Sequence, residues 1–416
     1  MTTQEETLRP AFAGREEPRI SYGIAFPEAA ARHTKQLFHA SKVYVICSGS
    51  LARNTDALDR LKAALGEEKK VVGVRIGMKP HTLWSEVVEI ANEARDAGAD
   101  LLVTLGAGTL TDAAKIVSFA LANDVSTLEG INTLTDEGRA SSKEATKGSK
   151  VPIISIPTSL SAGEYSDFAG GTNDQTHRKH SFQAPLLGPR LIILDPKLTA
   201  TTPDSIWLST GIRAVDHCVE ILCSNVYYEE TDQYAVKALG MLVSGLLRCK
   251  QNRNDFAARL DCQLGSVEAM AACTHVKKIV QVGASHGIGH QLGPLGVGHG
   301  ETSCILLPAV CRFNAAKGAN VARQEQLYKF LTEQETVRDV MSKYGTDPGS
   351  SDLADLLDVV IRELGMPRSL KAVGVGRDKL DVVAKNSLDD RCCKSNPVPL
   401  TEKEQVLEIL EMVVGE

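Results

Sequence analysis

The chain has 416 residues, 43% of them hydrophobic and 24% charged, with a formal net charge of -6. That composition is globular, leaves room for two domains, and excludes a wholly disordered chain. With no basic excess to hold a phosphate backbone, nucleic acid is not expected as a partner.

The polar, acidic start Met1–Pro10 does not read as a secretory leader. Residues 1–20 read as a flexible tail. Val43–Cys47 then reads as a buried strand that ends in Ser48-Gly49-Ser50, followed by a helical stripe of Leu51, Leu58, Leu61 and Leu65. Val71–Ile76 is a second strand. Leu83–Ala97 is a helix with Val87, Ile90, Ala91 and Ala94 on one face. Asp100–Leu105 is a third strand, and Asp112–Ala122 a helix. Alternating strands and helices imply a parallel sheet with right-handed crossovers. Val125–Lys150, rich in Ser, Thr, Gly and charge, reads as a surface excursion. Strands resume at Val151–Ile156 and Arg190–Leu194, and after Pro203 the apolar spacing is helical to the end. The longest uncharged run, Ile279–Gly298, carries six glycines, which is unlike a membrane helix, so no membrane is expected. Ten cysteines without a CxxC pair read as thiols in a reducing, cytoplasmic setting. The adjacent Cys392 and Cys393 read as packed thiols.

Four constellations carry candidate chemistry. The strand Leu101–Leu105 empties into Gly106-Ala107-Gly108-Thr109, with Asp112 and Lys115 beyond. Glycines there let a backbone approach a diphosphate at a helix start, although a tight strand-to-helix turn explains the same residues. The strand ending at Ile156 opens into Pro157-Thr158-Ser159-Leu160-Ser161. Two such loops at the carboxyl ends of one sheet suit a shared nucleotide crevice, and hydroxyls that only satisfy turn backbone are the alternative. On a helix from Thr202 to Ser224, capped by Thr202, Arg213 and His217 share a face. An Arg213–Asp216 pair on a helix surface is the plainer reading. Last come His286, His290 and His299, three of the chain's ten histidines within fourteen residues. Grouped imidazoles suit a metal or proton transfer, and a satisfied structural cluster is the other reading.

These residues resemble the iron-containing alcohol dehydrogenase superfamily, most closely its maleylacetate reductase branch, from about Ile20 onward. Gly106–Lys115 is similar to the family's GGGSxxDxAK nucleotide loop, and Pro157–Glu164 to the branch's PTTYAGSE loop. The stretch Gly211–Glu220, the SHxxxH cluster, Leu307-Pro308 and Asn396–Thr401 follow in the family's order. The resemblance implies a Rossmann-like parallel sheet domain over residues 21–200. It also implies an all-helical substrate and catalytic domain over 201–416, the architecture of dehydroquinate synthase. It further implies NAD(P) and hydride transfer between a carbonyl and an alcohol in the cleft between domains, in a homodimer.

The resemblance assigns the nucleotide to Ser48, Gly106, Ala107, Gly108, Thr109, Asp112, Thr158, Ser159, Ser161 and Lys179. Chemistry falls to Arg213, His217, His286, His290 and His299. Metal-dependent members hold iron or zinc with Asp-x3-His and two later histidines. Here the histidines correspond to His217, His286 and His299, but Arg213 stands where the Asp belongs. Asp216, one position from His217, projects about 100° round the helix from it and reads as a poor substitute. The favoured reading is a metal-free reductase of a small carbonyl compound, a ketone, aldehyde or oxo acid, in which Arg213 replaces the ion and His290 or His286 relays the proton. A three-histidine metal site and a lyase or cyclase reusing the fold stay open. The first strand ends without an acid, which leaves room for a 2′-phosphate and favours NADP over NAD.

Overall fold

The computed structural model describes residues 5–66, 70–142 and 145–415. Residues 1–4 of the expected tail and 143–144 of the expected excursion lie outside the described residues. Contacts divide the chain into two units, Met1–Thr201 and Thr202–Glu416.

The first unit is α/β. In chain order it holds β1 (Thr7–Pro10), β2 (Arg19–Tyr22), α1 (Phe26–Gln36), β3 (Val43–Cys47), α2 (Gly49–Asn54), α3 (Ala57–Leu65), β4 (Val71–Ile76), α4 (Trp84–Asp96), β5 (Leu101–Gly106), α5 (Gly108–Ala122), α6 (Leu128–Leu134), α7 (Asp136–Ser141), β6 (Ile153–Pro157), β7 (Ala169–Thr172), β8 (Lys179–Phe182), β9 (Leu191–Ile193) and α8 (Pro196–Thr199). Seven strands form one sheet in the order β1-β2-β9-β6-β5-β3-β4. All pairings in it are parallel except β1 with β2.

The two-residue period of β3 divides its side chains between two cores. Tyr44 and Ile46 pack on one face, and Val43, Val45 and Cys47 on the other. Helices cover both faces, as a buried parallel sheet requires. The chain leaves β3 for the edge strand β4, then returns to place β5 on the other side of β3. The strand order therefore reverses between β3 and β5, and ligands of open α/β sheets gather at the carboxyl ends beside such a switch.

Several expectations need correction. Residues 7–10 and 19–22 are not a loose tail: β1 pairs with β2, and β2 joins β9 with Arg19 opposite Leu191. The stripe from Leu51 to Leu65 is two helices, because Thr55 at the end of α2 is extended. Helix α5 starts at Gly108, four residues before the expected Asp112. The excursion contains α6 and α7, each capped by a threonine side chain, Thr127 and Thr135. Ile131 and Leu134 of α6 are buried in the sheet's core. The hairpin β7–β8 had no counterpart in the sequence reading.

The second unit is helical among its described residues. It comprises α9 (Asp204–Leu222), α10 (Glu229–Gln251), α11 (Phe256–Cys273), α12 (Ala284–Leu292), α13 (His299–Ala316), α14 (Val321–Thr332), α15 (Glu335–Lys343), α16 (Leu353–Leu364), α17 (Leu380–Ser387), α18 (Arg391–Ser395) and α19 (Lys403–Val413). Ile288, Leu292, Leu306, Phe313, Cys393, Leu400 and Leu410 belong to one of its cores, which ties α12, α13, α18 and α19 together. Helix α9 is not capped by Thr202; its N-cap is Pro203, without a side-chain cap bond.

Candidate functional site

The strand ends of the first unit meet at the switch point. The Ser48 amide donates to Leu105 O at 2.9 Å, and the Thr158 amide to Gly106 O at 3.0 Å. These bonds lace the loops after β3, β5 and β6 together. Gly106 has φ +150°, and a Cβ there would lie 2.6 Å from Leu110 Cδ1 and 2.8 Å from Ser48 Cβ. Only glycine tolerates both constraints. The Cβ position of Gly108, the first residue of α5, lies 3.8 Å from Ser161 Cβ. The first amides of a fifteen-residue helix thus sit between two hydroxyl-bearing loops, with no side chain capping them. That is an anion-binding arrangement.

Thr158 and Ser159 are buried, and the Ser159 hydroxyl donates to Ser161 Oγ at 3.3 Å. One turn along α5, Asp112 accepts from the Gly170 amide at 3.3 Å. The stem of Lys179 lies against that same glycine, 2.6 Å from its Cβ position. Lys115 is fully buried and donates to Gly163 O at 2.6 Å and Phe168 O at 2.7 Å. It fastens the segment after β6 to α5. Burial lowers its pKa, opposed by the nearby Asp112, Glu164 and Asp167.

The second unit holds a buried polar cluster built by α9, α12 and α13. Gly300, in the first turn of α13, has its Cβ position 2.5 Å from the Ser209 backbone of α9. The two helices therefore meet backbone to backbone, and one turn further Ser303 faces Asp216. The Ser303 hydroxyl donates to Asp216 Oδ2 at 2.6 Å, as does Ser285 from α12 at 2.8 Å. Glu220, one turn along from Asp216, accepts from the amides of Gly283 (2.8 Å) and Ser285 (2.7 Å) and pairs with His286 Nδ1 at 2.7 Å. Arg213 Nη1 donates to His299 O at 3.3 Å and to Ser303 Oγ at 3.4 Å. No Arg213–Asp216 ion pair of 4 Å or less forms among the described residues; the serine hydroxyl bridges them instead.

Asp216 is therefore not turned away from the site. Its Oδ2 lies 3.4 Å from His286 Nδ1. The rings of His217 and His286 stack with centroids 4.5 Å apart. Asp216 Oδ1, His217 Nδ1 and His286 Nε2 are all buried without a hydrogen-bond partner in the protein. Burial, then the Glu220 charge, pushes the Asp216 carboxyl well up. Burial pushes Glu220 up to about 7 against the donors that face it. Burial holds His217 and His286 well below the usual histidine range, reinforced by Arg213. Burial also lowers Arg213, opposed by Asp216 and Glu220; a guanidinium stays charged regardless. His290 is different: its side chain is 39% exposed, and Nδ1 lies 2.9 Å from Asp390 Oδ2. His299 is exposed at the first turn of α13.

Residues 22–196 match the family model for iron-containing alcohol dehydrogenase, and residues 207–414 match the C-terminal model of the Fe-containing alcohol dehydrogenase family. The chain belongs to the iron-containing alcohol dehydrogenase family. It is an NAD(P)-dependent oxidoreductase. It is 38% identical to "Dehydrogenase ALT3" of Alternaria alternata over 390 residues, covering 90% of this chain and 99% of that one. It is 37% identical to "Dehydrogenase FUM7" of Gibberella moniliformis, covering 99% and 100%. The fold is shared with maleylacetate reductase from Agrobacterium tumefaciens (TM-score 0.72, 22% identity, 100% and 99% covered). It is also shared with sulfoacetaldehyde reductase from Bifidobacterium kashiwanohense in complex with NAD+ (TM-score 0.77, 20% identity, 95% and 96% covered).

Set against the family's ligand pattern, this member brings the three histidines together only in part. His217 and His286 stack, but His286 Nδ1 is taken by Glu220. Among the described residues, metal-ligating atoms gather as Asp216, Glu220 and His286, and as His290, Asp390 and Cys392. No such group contains His217, His286 and His299 together. Sequence reasoning missed Glu220, Ser285, Ser303 and Asp390 as site residues. Two of them carried a signal: Glu220 lies one helical turn from Asp216 on a helix already singled out, and Ser285 opens the SHxxxH cluster.

Proposed function

We propose that this family member reduces a small ketone, aldehyde or oxo acid to an alcohol, with Arg213 in place of a metal ion. NAD(P)H, when bound, supplies the hydride. Ser48, the α5 amides at Gly108 and Thr109, and Ser161 would hold its diphosphate, with Thr158 and Ser159 beside them. The lack of an acid after β3 favours NADP.

The observation that carries the reading is the placing of Arg213 beside a buried carboxylate pair. Both protein bonds of Arg213 use Nη1, so its other nitrogens remain to meet a carbonyl oxygen or a substrate carboxylate. A divalent ion does not suit this donor set. Arg213 would repel it. The carboxylates near Arg213 are already saturated on one side by serine hydroxyls and backbone amides. His290, rather than the buried and neutral His286, delivers the proton to the developing alkoxide from Nε2. Ten free cysteines, nine of them buried, support a reducing compartment.

The test is a fluorescence titration of metal-stripped protein with NADPH and NADH, followed by turnover. Lactaldehyde, 4-oxobutanoate and maleylacetate serve as probes, the first two suggested by relatives named lactaldehyde reductase and 4-hydroxybutyrate dehydrogenase. Stoichiometric NAD(P)H consumption without metal supports the reading. Failure to bind either nucleotide, or a strict requirement for added metal, defeats it.

A further inference from the structure

We infer that Asp390 is a positioning residue that fixes the tautomer and ring orientation of His290 for proton transfer; the inference rests on the reading of His290 as proton donor. Asp390 is the N-cap of α18, and its two oxygens divide their work. Oδ1 accepts from the Cys392 amide at 2.8 Å, and Oδ2 meets His290 Nδ1 at 2.9 Å. A carboxylate can only accept, so Nδ1 carries the hydrogen and Nε2 is left to exchange a proton with substrate. To act as donor the ring carries hydrogens on both nitrogens, with Nδ1–H held by Asp390; the Nε2 hydrogen passes to the alkoxide oxygen and leaves the neutral Nδ1–H tautomer, while Asp390 remains ionised and takes none.

The mounting is rigid. The Cβ position of Gly287 on α12 lies 2.5 Å from Cys393 Sγ and 2.8 Å from Cys393 N. Helices α12 and α18 are thereby in backbone contact one turn before His290. Ser395 Oγ donates to Val282 O at 2.7 Å, and the Ala284 amide donates to Asn396 Oδ1 at 3.2 Å. The far end of α18 is thus pinned to the start of α12. Asn396 is held in turn by Asn314 of α13 through bonds of 2.8 and 3.2 Å. Asn396, next to the end of α18, thus helps hold the helix that Asp390 caps against the helix that carries His290.

The test compares D390N, D390E and H290Q as full-length proteins. Asparagine caps helices as well as aspartate, so D390N keeps the bond to Cys392 with its oxygen and turns its amide toward His290. The amide then donates to Nδ1, and the hydrogen moves to Nε2. Nitrogen-15 NMR of histidine-labelled protein should show the neutral ring of His290 with its hydrogen on Nδ1 in the parent and on Nε2 in D390N. With NAD(P)H and whichever probe aldehyde or oxo acid is turned over, kcat of D390N should fall at least about 100-fold, and by up to about 10⁴, while KM stays within about threefold, as when an Asp→Asn change reverses the tautomer of a catalytic histidine. D390E should recover part of that loss. A D390N protein with unchanged tautomer and kcat, alongside an inactive H290Q, overturns the positioning role and leaves the proposed function standing. An H290Q protein with full kcat overturns both.

Discussion

Replacing Arg213 with alanine removes one cation and two stretched hydrogen bonds, of 3.3 and 3.4 Å. Intramolecular hydrogen bonds contribute about 0.5–1.5 kcal/mol each, and bonds this long fall at the low end, so the structural cost is about 1 kcal/mol. Asp216 and Glu220 lose a neighbouring cation, but both are already pushed toward their protonated forms by burial. They can take up a proton instead of holding an unpaired charge. Catalysis stands to lose far more. A donor aimed at a developing oxyanion is worth about 2.7–4 kcal/mol, or a factor of about 10²–10³ in kcat. R213A should therefore keep its nucleotide affinity and most of its stability while kcat falls by two to three orders of magnitude. R213K should fall between the two, because a lysine keeps the charge but loses the planar fork. The assay is steady-state NAD(P)H oxidation at saturating nucleotide, with thermal denaturation and nucleotide fluorescence as controls. If kcat of R213A stays within tenfold of the parent, Arg213 does not act on the reacting oxygen and the reasoning fails.

Three further outcomes follow from the same geometry. Exhaustive dialysis against a chelator should leave the parent's turnover unchanged; activity that returns only with iron or zinc reinstates the histidine metal site. G106A should weaken nucleotide binding at least about tenfold, since a side chain at φ +150° costs about 1–3 kcal/mol. Its methyl would also meet Leu110 and Ser48 at 2.6 and 2.8 Å, and an unchanged Kd in fluorescence titration would refute the crowding argument. Glu220 gives a pH signature. Its native pKa of about 7 lies above its ordinary 4.5. Between those values the native state holds a proton that the unfolded chain has lost, so this group's contribution to stability falls as pH rises. E220Q cannot titrate, so its stability relative to the parent should rise between pH 5 and 7 by up to about 1.4 kcal/mol per pH unit. Urea denaturation at three pH values measures that slope, and a flat difference rules the assignment out.

The strand-end loops after β5 and β6 were legible because their information is local. Strand β5, the glycines and the helix start are consecutive, and so are β6 and its hydroxyls. Each loop could be placed at a carboxyl strand end from periodicity alone. The starting strands were not legible for the opposite reason. β1 and β2 are four residues each, too short to display a period. The parallel partner of β2 is β9, far along the chain. The caps of α6 and α7 were local signals, but the polar composition around them masked the helices. For α3, the apolar stripe of Leu58, Leu61 and Leu65 was correctly read while the break at Thr55 was not, since an extended residue between two helices leaves the leucine spacing nearly intact.

The helical site was half legible, and the missing half lies in which partners it brings together. From sequence, Arg213 in place of an aspartate reads as a loss of negative charge. Asp216 reads as too far round the helix to restore it. Three residues along a helix is about 300°, which leaves Asp216 only about 60° from the direction of Arg213. The contact of α13 with α9 at Gly300 then supplies Ser303, whose hydroxyl accepts from the guanidinium and donates to the carboxylate. None of this is encoded near residue 213; it depends on a glycine and a serine some ninety positions later. The negative charge has not been lost but moved one turn along and wrapped in hydroxyls and amides. Three buried acceptor or imidazole atoms still lack a protein partner there, and water or the hydroxyl end of a product would satisfy them without any ion. On the proposed reading, the exchange of Asp for Arg works together with Asp216, Glu220 and Ser303 to turn an ion-holding site into one that holds a carbonyl oxygen.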